Sequence, residues 1–211
     1  MSSKRQALLI FSKSCDVGKV KTRMRSKLSD EECLSLHTAL LKDTIKKTTA
    51  IKAERFLYLA GSGFLSFDPE IAVCMQNGND LGARLHDAFE ETLRSFDRVI
   101  IIGIDSPTLS PLLIEEAFQE LEKNDVVLGP AEDGGYYLIG LKLLTPEIFT
   151  EIAWGTSNVL SQTRSALGKL PVWLLPPCFD IDTPEDLSRL RAEIESIDFA
   201  LHTREWLRKH P

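Results

Sequence analysis

Short apolar runs and longer amphipathic runs alternate from end to end of the sequence, and that alternation constrains the fold more than any other feature. "QALLIF" is apolar throughout, as a strand buried on both faces requires. "RFLYLAG", "IAVCMQ", "RVIIIGID", "DVVLGP" and "YYLIGL" follow as further strands, "RVIIIGID" the strongest, and "PVWLLP" is extended. Between them lie helical patterns. In "SDEECLSLHTALLKDTIKKTTA", Ser29 and Glu32 have capping-box spacing, Leu34, Leu36, Leu40, Leu41 and Ile45 form an apolar face, and lysines gather near the end. "DLGARLHDAFEETLRSF" is amphipathic, and "SPLLIEEAFQELEKN" opens with Ser110 as N-cap and Pro111 in the first turn. "SNVLSQTRSALGK", "TPEDLSRLRAEIES" and the tail "FALHTREWLRKHP" read as helices too. Strands alternating with helices predict an α/β fold, a mostly parallel sheet with helices on both faces. With no internal repeat and no Gly/Ser/Pro-rich linker, residues 1–211 are expected to form a single domain.

Composition narrows the function. The net charge of −6 gives the long-range field the wrong sign for a nucleic-acid or anionic-membrane binder. No apolar stretch approaches the ~20 residues that span a bilayer, and the start "MSSKRQALLIFSKS" lacks the small-residue cleavage site of a signal peptide. Cys15, Cys33, Cys74 and Cys178 form no CxxC pair, which fits reduced thiols, and the four histidines show no zinc-ligand spacing. These features predict a cytoplasmic protein.

In parallel sheets ligands sit beyond the carboxyl ends of the strands, so the residues that follow each strand carry the chemistry. After the first come Lys13, Gly18, Lys19, Lys21, Thr22 and Arg23 in "IFSKSCDVGKVKTRM". Glycine admits phosphate oxygens to the backbone, lysine supplies point charge and arginine a bidentate fork, as a polyphosphate requires; solvated loop cations are the alternative. A P-loop is excluded because Lys13 stands where its first glycine belongs and Val20 replaces its Ser/Thr. A dinucleotide GxGxxG is absent. Asp105 ends the strongest strand, placed either to hold Mg²⁺ or to form a turn with Ser106 and Pro107. "GPAEDGGYYLIGL" crowds Glu132, Asp133, Gly134 and Gly135 between strands, as a hairpin turn or as a metal- or base-bearing loop with room for a ligand. Trp154 precedes a helix as a core, lid or stacking aromatic. Asp180 and Asp182 flank Ile181 on one side of an extended segment, which is favourable only with a cation near.

Taken in order, "FSKSCDVGKVKTRM", "QNGNDLGARL", "GIDSPTL", "GPAEDGGYYLIGL", "WGTSNVLSQT" and "DIDTPEDL" resemble the nucleotide-diphospho-sugar transferases of GT-A type over nearly the whole chain. The closer likeness is to the glycosyltransferase-like proteins associated with radical-SAM/selenodomain systems. That pattern usually reads K-x-P-x-x-G-x-V-K-T-R-L in the first loop; here Cys15 replaces the proline and Met24 the leucine, which touches the loop's rigidity but not its cations. The resemblance implies that Lys13, Lys21 and Arg23 face nucleotide phosphates with Gly18 in the same loop, and that Gly78, Asp80, Gly82 and Arg84 lie along the nucleotide. It implies Asp105 and Asp182 as ligands of Mg²⁺ or Mn²⁺, and places Glu132 and Asp133 on the acceptor side. It implies Lys13, Lys21 and Asp133 as the catalytic set.

The expected partners are a nucleoside triphosphate or nucleotide-diphospho-sugar and a small-molecule acceptor, with no nucleic acid and no membrane. The cation cluster favours nucleotidyl transfer, in which pyrophosphate leaves, over glycosyl transfer from a diphospho-sugar. A non-catalytic nucleotide or sugar-phosphate binder is the alternative of another class, against which the three carboxylates Asp105, Asp133 and Asp182 argue. Cys15 lies among lysines, which lowers a thiol pKa, yet no His beside it completes a nucleophile's partner set, and it reads as a loop substitution. The tail is able to pack on the domain or on a second subunit, which keeps a homo-oligomer open.

Overall fold

The computed structural model describes residues 5–61, 63 and 71–211. The first four residues of the segment read above for a signal peptide lie outside them. Among the described residues seven strands, β1 (Gln6–Lys13), β2 (Glu54–Ala60), β3 (Ala72–Met75), β4 (Arg98–Ile102), β5 (Val126–Pro130), β6 (Tyr136–Leu141) and β7 (Val172–Leu174), form one sheet in the order β3-β2-β1-β4-β6-β5-β7. All pair in parallel except β6, which runs antiparallel to β4 and β5. The expected mostly parallel α/β sheet is the observed one.

The alternation of side chains along a strand divides the core in two. Leu8 and Ile10 of β1, Ile100 and Ile102 of β4 and Leu138 of β6 face one side, packing on α1 (Asp30–Lys47), α3 (Pro111–Glu120), α5 (Pro184–Glu193) and α6 (Leu201–Lys209) through Leu36, Leu40, Ile114, Phe118, Leu190 and Trp206. Ala7, Leu9 and Phe11, Val99 and Ile101, and Ile139 and Leu141 face the other. They meet α2 (Leu81–Thr92), α4 (Val159–Leu167) and the 3-10 turn Pro146–Phe149. Sequences apolar on both faces have no solvent side, which is why "LLIF" and "VIII" read as continuous runs.

Local signals set the helix ends. Ser29 and Glu32 form the reciprocal capping box of α1, and Ser110 accepts from the Leu113 amide at 3.3 Å with Pro111 in the first turn of α3. The tail is docked on α1: buried Asp43 accepts from the His202 and Thr203 amides at 2.9 and 2.7 Å, and Trp206 Nε1 donates to Ser35 Oγ at 2.6 Å. Among the described residues no helix is long and apolar enough to cross a membrane.

Candidate active site

A cleft of about 780 Å³ opens over the carboxyl ends of the parallel strands. It is lined by Lys13 where β1 ends, Ala60 where β2 ends, Gln76 after β3, Gly103 to Asp105 after β4, Asp133 and Gly135 between β5 and β6, and Asp180 and Asp182 after β7. Strand direction brings these distant positions together, because six carboxyl ends share one edge.

Among the described residues four cations line the cleft: Lys13 at the end of β1, Lys21 and Arg23 in the connection to α1, and Arg84 of α2. Lys13 is exposed; its carbonyl accepts from Ser12 Oγ at 2.8 Å and lies 3.1 Å from His37 Nε2. Arg84 donates from Nε to the Gly78 carbonyl at 3.0 Å. Lys19 lies on the surface, 3.8 Å from Asp16, and does not line the cleft. Gly18, Gly78, Asp80 and Gly82 also lie outside the lining. The Gly18 carbonyl accepts from Arg25 Nη2 at 2.6 Å, Asp80 caps α2 by accepting from the Ala83 amide at 2.8 Å, and Gly82 packs under Trp154. A Cβ on Gly82 would stand 2.4 Å from Trp154 Nε1, so the glycine sets how closely that indole approaches α2.

Facing the cations, among the described residues, are four carboxylates, Asp105, Asp133, Asp180 and Asp182. Lys21 joins two of them: Nζ lies 2.6 Å from Asp105 Oδ1 and 3.4 Å from Asp182 Oδ1, and donates also to the Ile181 carbonyl. Its side chain is 3% exposed, against 43% for Asp105 and 38% for Asp182. Arg23 Nη1 reaches Asp182 Oδ2 at 3.5 Å from the solvent side. Burial works against charge on Lys21, and the carboxylates of Asp105 and Asp182 outweigh it, raising its pKa above the ordinary lysine value. On Asp105 burial opposes ionisation and the ammonium of Lys21 prevails, lowering the carboxyl pKa. Asp180 has no such partner among the described residues. Burial first, then the negative charge of Asp105, Asp133 and Asp182, push it up to about 7, although it accepts a hydrogen bond from Ser106 Oγ.

The segment between β5 and β6 is both a hairpin connection and a cleft wall. Asp133 Oδ1 accepts from the Gly135 amide at 2.9 Å, while Glu132 turns outward to a bidentate pair with Arg189 of α5 at 2.6 and 2.9 Å. At Gly134, φ is +91° and a Cβ would meet the Ser157 carbonyl oxygen at 2.2 Å, so only glycine lets the hairpin close on the wall that carries Trp154 to Ser157. Trp154 lines the cleft edge-on to Tyr136, ring centroids 6.2 Å apart. Cys15 is half-buried beside Thr38, and burial raises its thiol pKa, opposite to the lowering that its neighbouring lysines suggested.

Three participants escaped sequence reasoning. His37 sits on the apolar face of α1 and lines the cleft, and burial lowers its pKa; the signal was an imidazole in a row of leucines. Gln76 donates from Nε2 to the Ser12 and Tyr58 carbonyls at 3.2 and 2.9 Å, tying β3 to the cleft floor. Ser106, taken for a turn residue, orients Asp180.

Among the described residues no three His, Cys, Asp or Glu side chains stand close enough to cage a metal unaided. Asp105 and Asp182 nevertheless fit a hard divalent cation. Magnesium is usually held by one or two carboxylates together with substrate phosphates, and these two already share one positive charge at short range.

The model of the family described as "Uncharacterized protein conserved in bacteria (DUF2064)" matches residues 36–156. A 2-phospho-L-lactate guanylyltransferase of Methanocaldococcus vulcanius is 25% identical over 199 residues, spanning 91% of this chain and 86% of that one. Among solved structures, a Desulfovibrio desulfuricans G20 protein assigned to the nucleotide-diphospho-sugar transferases superposes with a TM-score of 0.86 at 26% identity, covering 98% of both chains. Rv0371c of Mycobacterium tuberculosis H37Rv, solved in complex with manganese, shares the fold at a TM-score of 0.53 and 16% identity, covering 89% of this chain and 98% of its own. The nucleotide-diphospho-sugar transferase fold implied by the six motifs is the fold of this chain.

Proposed function

We propose, from the premise that this chain belongs to the DUF2064 family, that its cleft transfers a nucleotidyl group from a nucleoside triphosphate to a small-molecule acceptor, with a divalent cation and with pyrophosphate as leaving group. The chain is a nucleotide-dependent transferase; the proposal concerns which transfer and by which residues. One observation carries it: Lys13, Arg23 and Arg84 line the same cleft as the paired carboxylates Asp105 and Asp182. A triphosphate needs both, cations for the leaving pyrophosphate and carboxylates for the ion between phosphates.

In this reading the acceptor oxygen bonds to the α-phosphorus while the bond from that phosphorus to the bridging oxygen of pyrophosphate breaks. Lys13, Arg23 and Arg84 neutralise charge on the departing pyrophosphate, and Asp133 takes the proton of an acceptor hydroxyl. Asp105 and Asp182 would hold Mg²⁺ or Mn²⁺, which when bound supplies charge neutralisation between phosphate oxygens. Guanylyltransferase relatives make GTP the first donor to test.

Thermal unfolding with each nucleoside triphosphate and each nucleotide-diphospho-sugar, with and without Mn²⁺, tests the proposal. A ligand at a hundred times its Kd stabilises by ~2.7 kcal/mol. For a chain of this size that is a midpoint shift of roughly 5–11 °C. We expect a Mn²⁺-dependent shift with GTP, and pyrophosphate release once an acceptor is supplied. A shift with diphospho-sugars alone would make the reaction glycosyl transfer, and no shift with any nucleotide would remove the cleft as a nucleotide site.

A further inference from the structure

We infer that Lys21 is an internal counter-cation that occupies the metal seat between Asp105 and Asp182 and must leave it before a divalent cation enters, so that metal and triphosphate bind cooperatively. The inference rests on the nucleotidyl-transfer reading above.

The geometry shows an ammonium where a metal ion would otherwise be required. Nζ touches one oxygen of each carboxylate and the carbonyl of Ile181, an all-oxygen set of the kind that hard cations take. The Lys21 side chain is buried, and so is Asp105 Oδ1, the carboxylate oxygen it approaches most closely, so the ammonium fills the space between the two acids. The backbone adopts a costly conformation to deliver it: Lys21 is one of two non-glycine residues with positive φ among the described residues, at φ 48° and ψ 35°. Non-glycine residues rarely adopt that left-handed region, because the Cβ crowds the following carbonyl oxygen. The backbone there is held in place, since the Lys21 carbonyl accepts from the Met24 amide at 2.9 Å and from Cys33 Sγ at 3.5 Å. Exchange therefore falls to the flexible four-carbon side chain.

Charge sets the order of events. Asp105 and Asp182 carry two negative charges against one ammonium and the exposed Arg23, with Asp180 adding to the crowding. A divalent cation compensates the pair better than an ammonium, but expelling Lys21 alone would strand its charge. A triphosphate lying along Lys13, Arg23 and Arg84 gives the expelled ammonium new oxygens within reach. Each ligand thus makes room or a partner for the other, and coupling between two ligands is reciprocal.

The test is Mn²⁺ binding without nucleotide, followed by the electron paramagnetic resonance of free Mn²⁺, in the unaltered protein, in Lys21→Met and in Lys19→Met. The last removes the same charge from the same loop but from a surface residue. We expect Lys21→Met to bind Mn²⁺ at least ten-fold more tightly than the other two, and GTP to raise Mn²⁺ affinity in the unaltered protein but little in Lys21→Met. Should Lys21→Met fail to fold, reductive methylation of the unaltered protein serves instead. Saturating Mn²⁺ should then speed modification of Lys21, read by peptide mass, while Lys19 is unaffected. Equal Mn²⁺ affinity in all three proteins, or a Lys21 methylation rate indifferent to Mn²⁺, would overturn the inference and leave nucleotidyl transfer standing. Binding of neither Mn²⁺ nor GTP in any arm would overturn both.

Discussion

Removing Asp105 alone would leave the Lys21 ammonium buried against the Ile181 carbonyl with only the longer contact to Asp182. Breaking a fully buried pair costs about 3–5 kcal/mol, and the 43% exposure of the Asp105 side chain reduces that to about 1–3 kcal/mol for Asp105→Asn. The double variant Asp105→Asn/Lys21→Met removes both charges, so urea titrations should find it more stable than the sum of the single losses predicts, by about 1–2 kcal/mol. Strict additivity would mean that the two groups do not sense each other. Asp105→Asn should also abolish Mn²⁺-dependent GTP binding; unchanged affinity would take Asp105 out of the site. Lys47 is a second buried ammonium at this scale, donating to the Ser106 carbonyl at 3.3 Å, and burial lowers its pKa to about 8. Its folded value lies below the ordinary 10.5, so between pH 8 and 10.5 the unfolded chain binds more protons and stability rises with pH. Relative to Lys47→Met, the unaltered protein should gain stability across that window, on the order of 3 kcal/mol at its upper end. A difference that stays flat from pH 8 to 10.5 would show that Lys47 titrates normally.

Helix α1 does more than cover one face of the sheet. Its apolar side brings His37 to the cleft, and its last turns supply Asp43, which caps α6 from a distance. Asp43→Ala would leave two helix-end amides without an acceptor, a loss of about 1–3 kcal/mol. Hydrogen exchange should show α6 opening while the amides of β1 and β4 keep their protection, and GTP binding should persist. Unchanged protection in α6 would mean that Trp206 and its packing hold the helix unaided. The β5–β6 connection is fixed in a comparable way, by the Glu132–Arg189 pair outside and the Gly134–Ser157 approach inside. Asp133 is thereby carried on a braced hairpin, which suits the acceptor-side role proposed for it.

Across the whole molecule the net charge is −6, yet the cleft gathers Lys13, Arg23 and Arg84 at one end of the sheet. Salt screens fields beyond ~8 Å at physiological ionic strength, so a ligand in contact with those side chains senses them rather than the global charge. Because Lys13 and Arg23 are exposed, raising salt from ~0.05 to ~0.5 M should weaken GTP binding at least several-fold while scarcely changing guanosine binding. Equal salt dependence of the two ligands, measured by titration calorimetry, would show that the loop does not read phosphate.

The sequence by itself determined the sheet, its two covered faces and the capped helices, because period, capping and apolar runs are local properties that survive in one dimension. It also marked which loops carry charge, since a cluster such as Lys13 to Arg23 or Asp180 with Asp182 is visible wherever it stands. Only the tertiary structure decided what each charge faces. Lys21 reads like its neighbours Lys19 and Arg23, yet Lys19 lies on the surface while Lys21 spans two carboxylates more than eighty positions away. Likewise, Gly82 and Asp80 belong to a motif expected along a ligand, and in the fold they pack an indole and cap a helix. Partners across a parallel sheet are set by strand order and direction. These depend on how the whole chain packs, and no local stretch of residues encodes them.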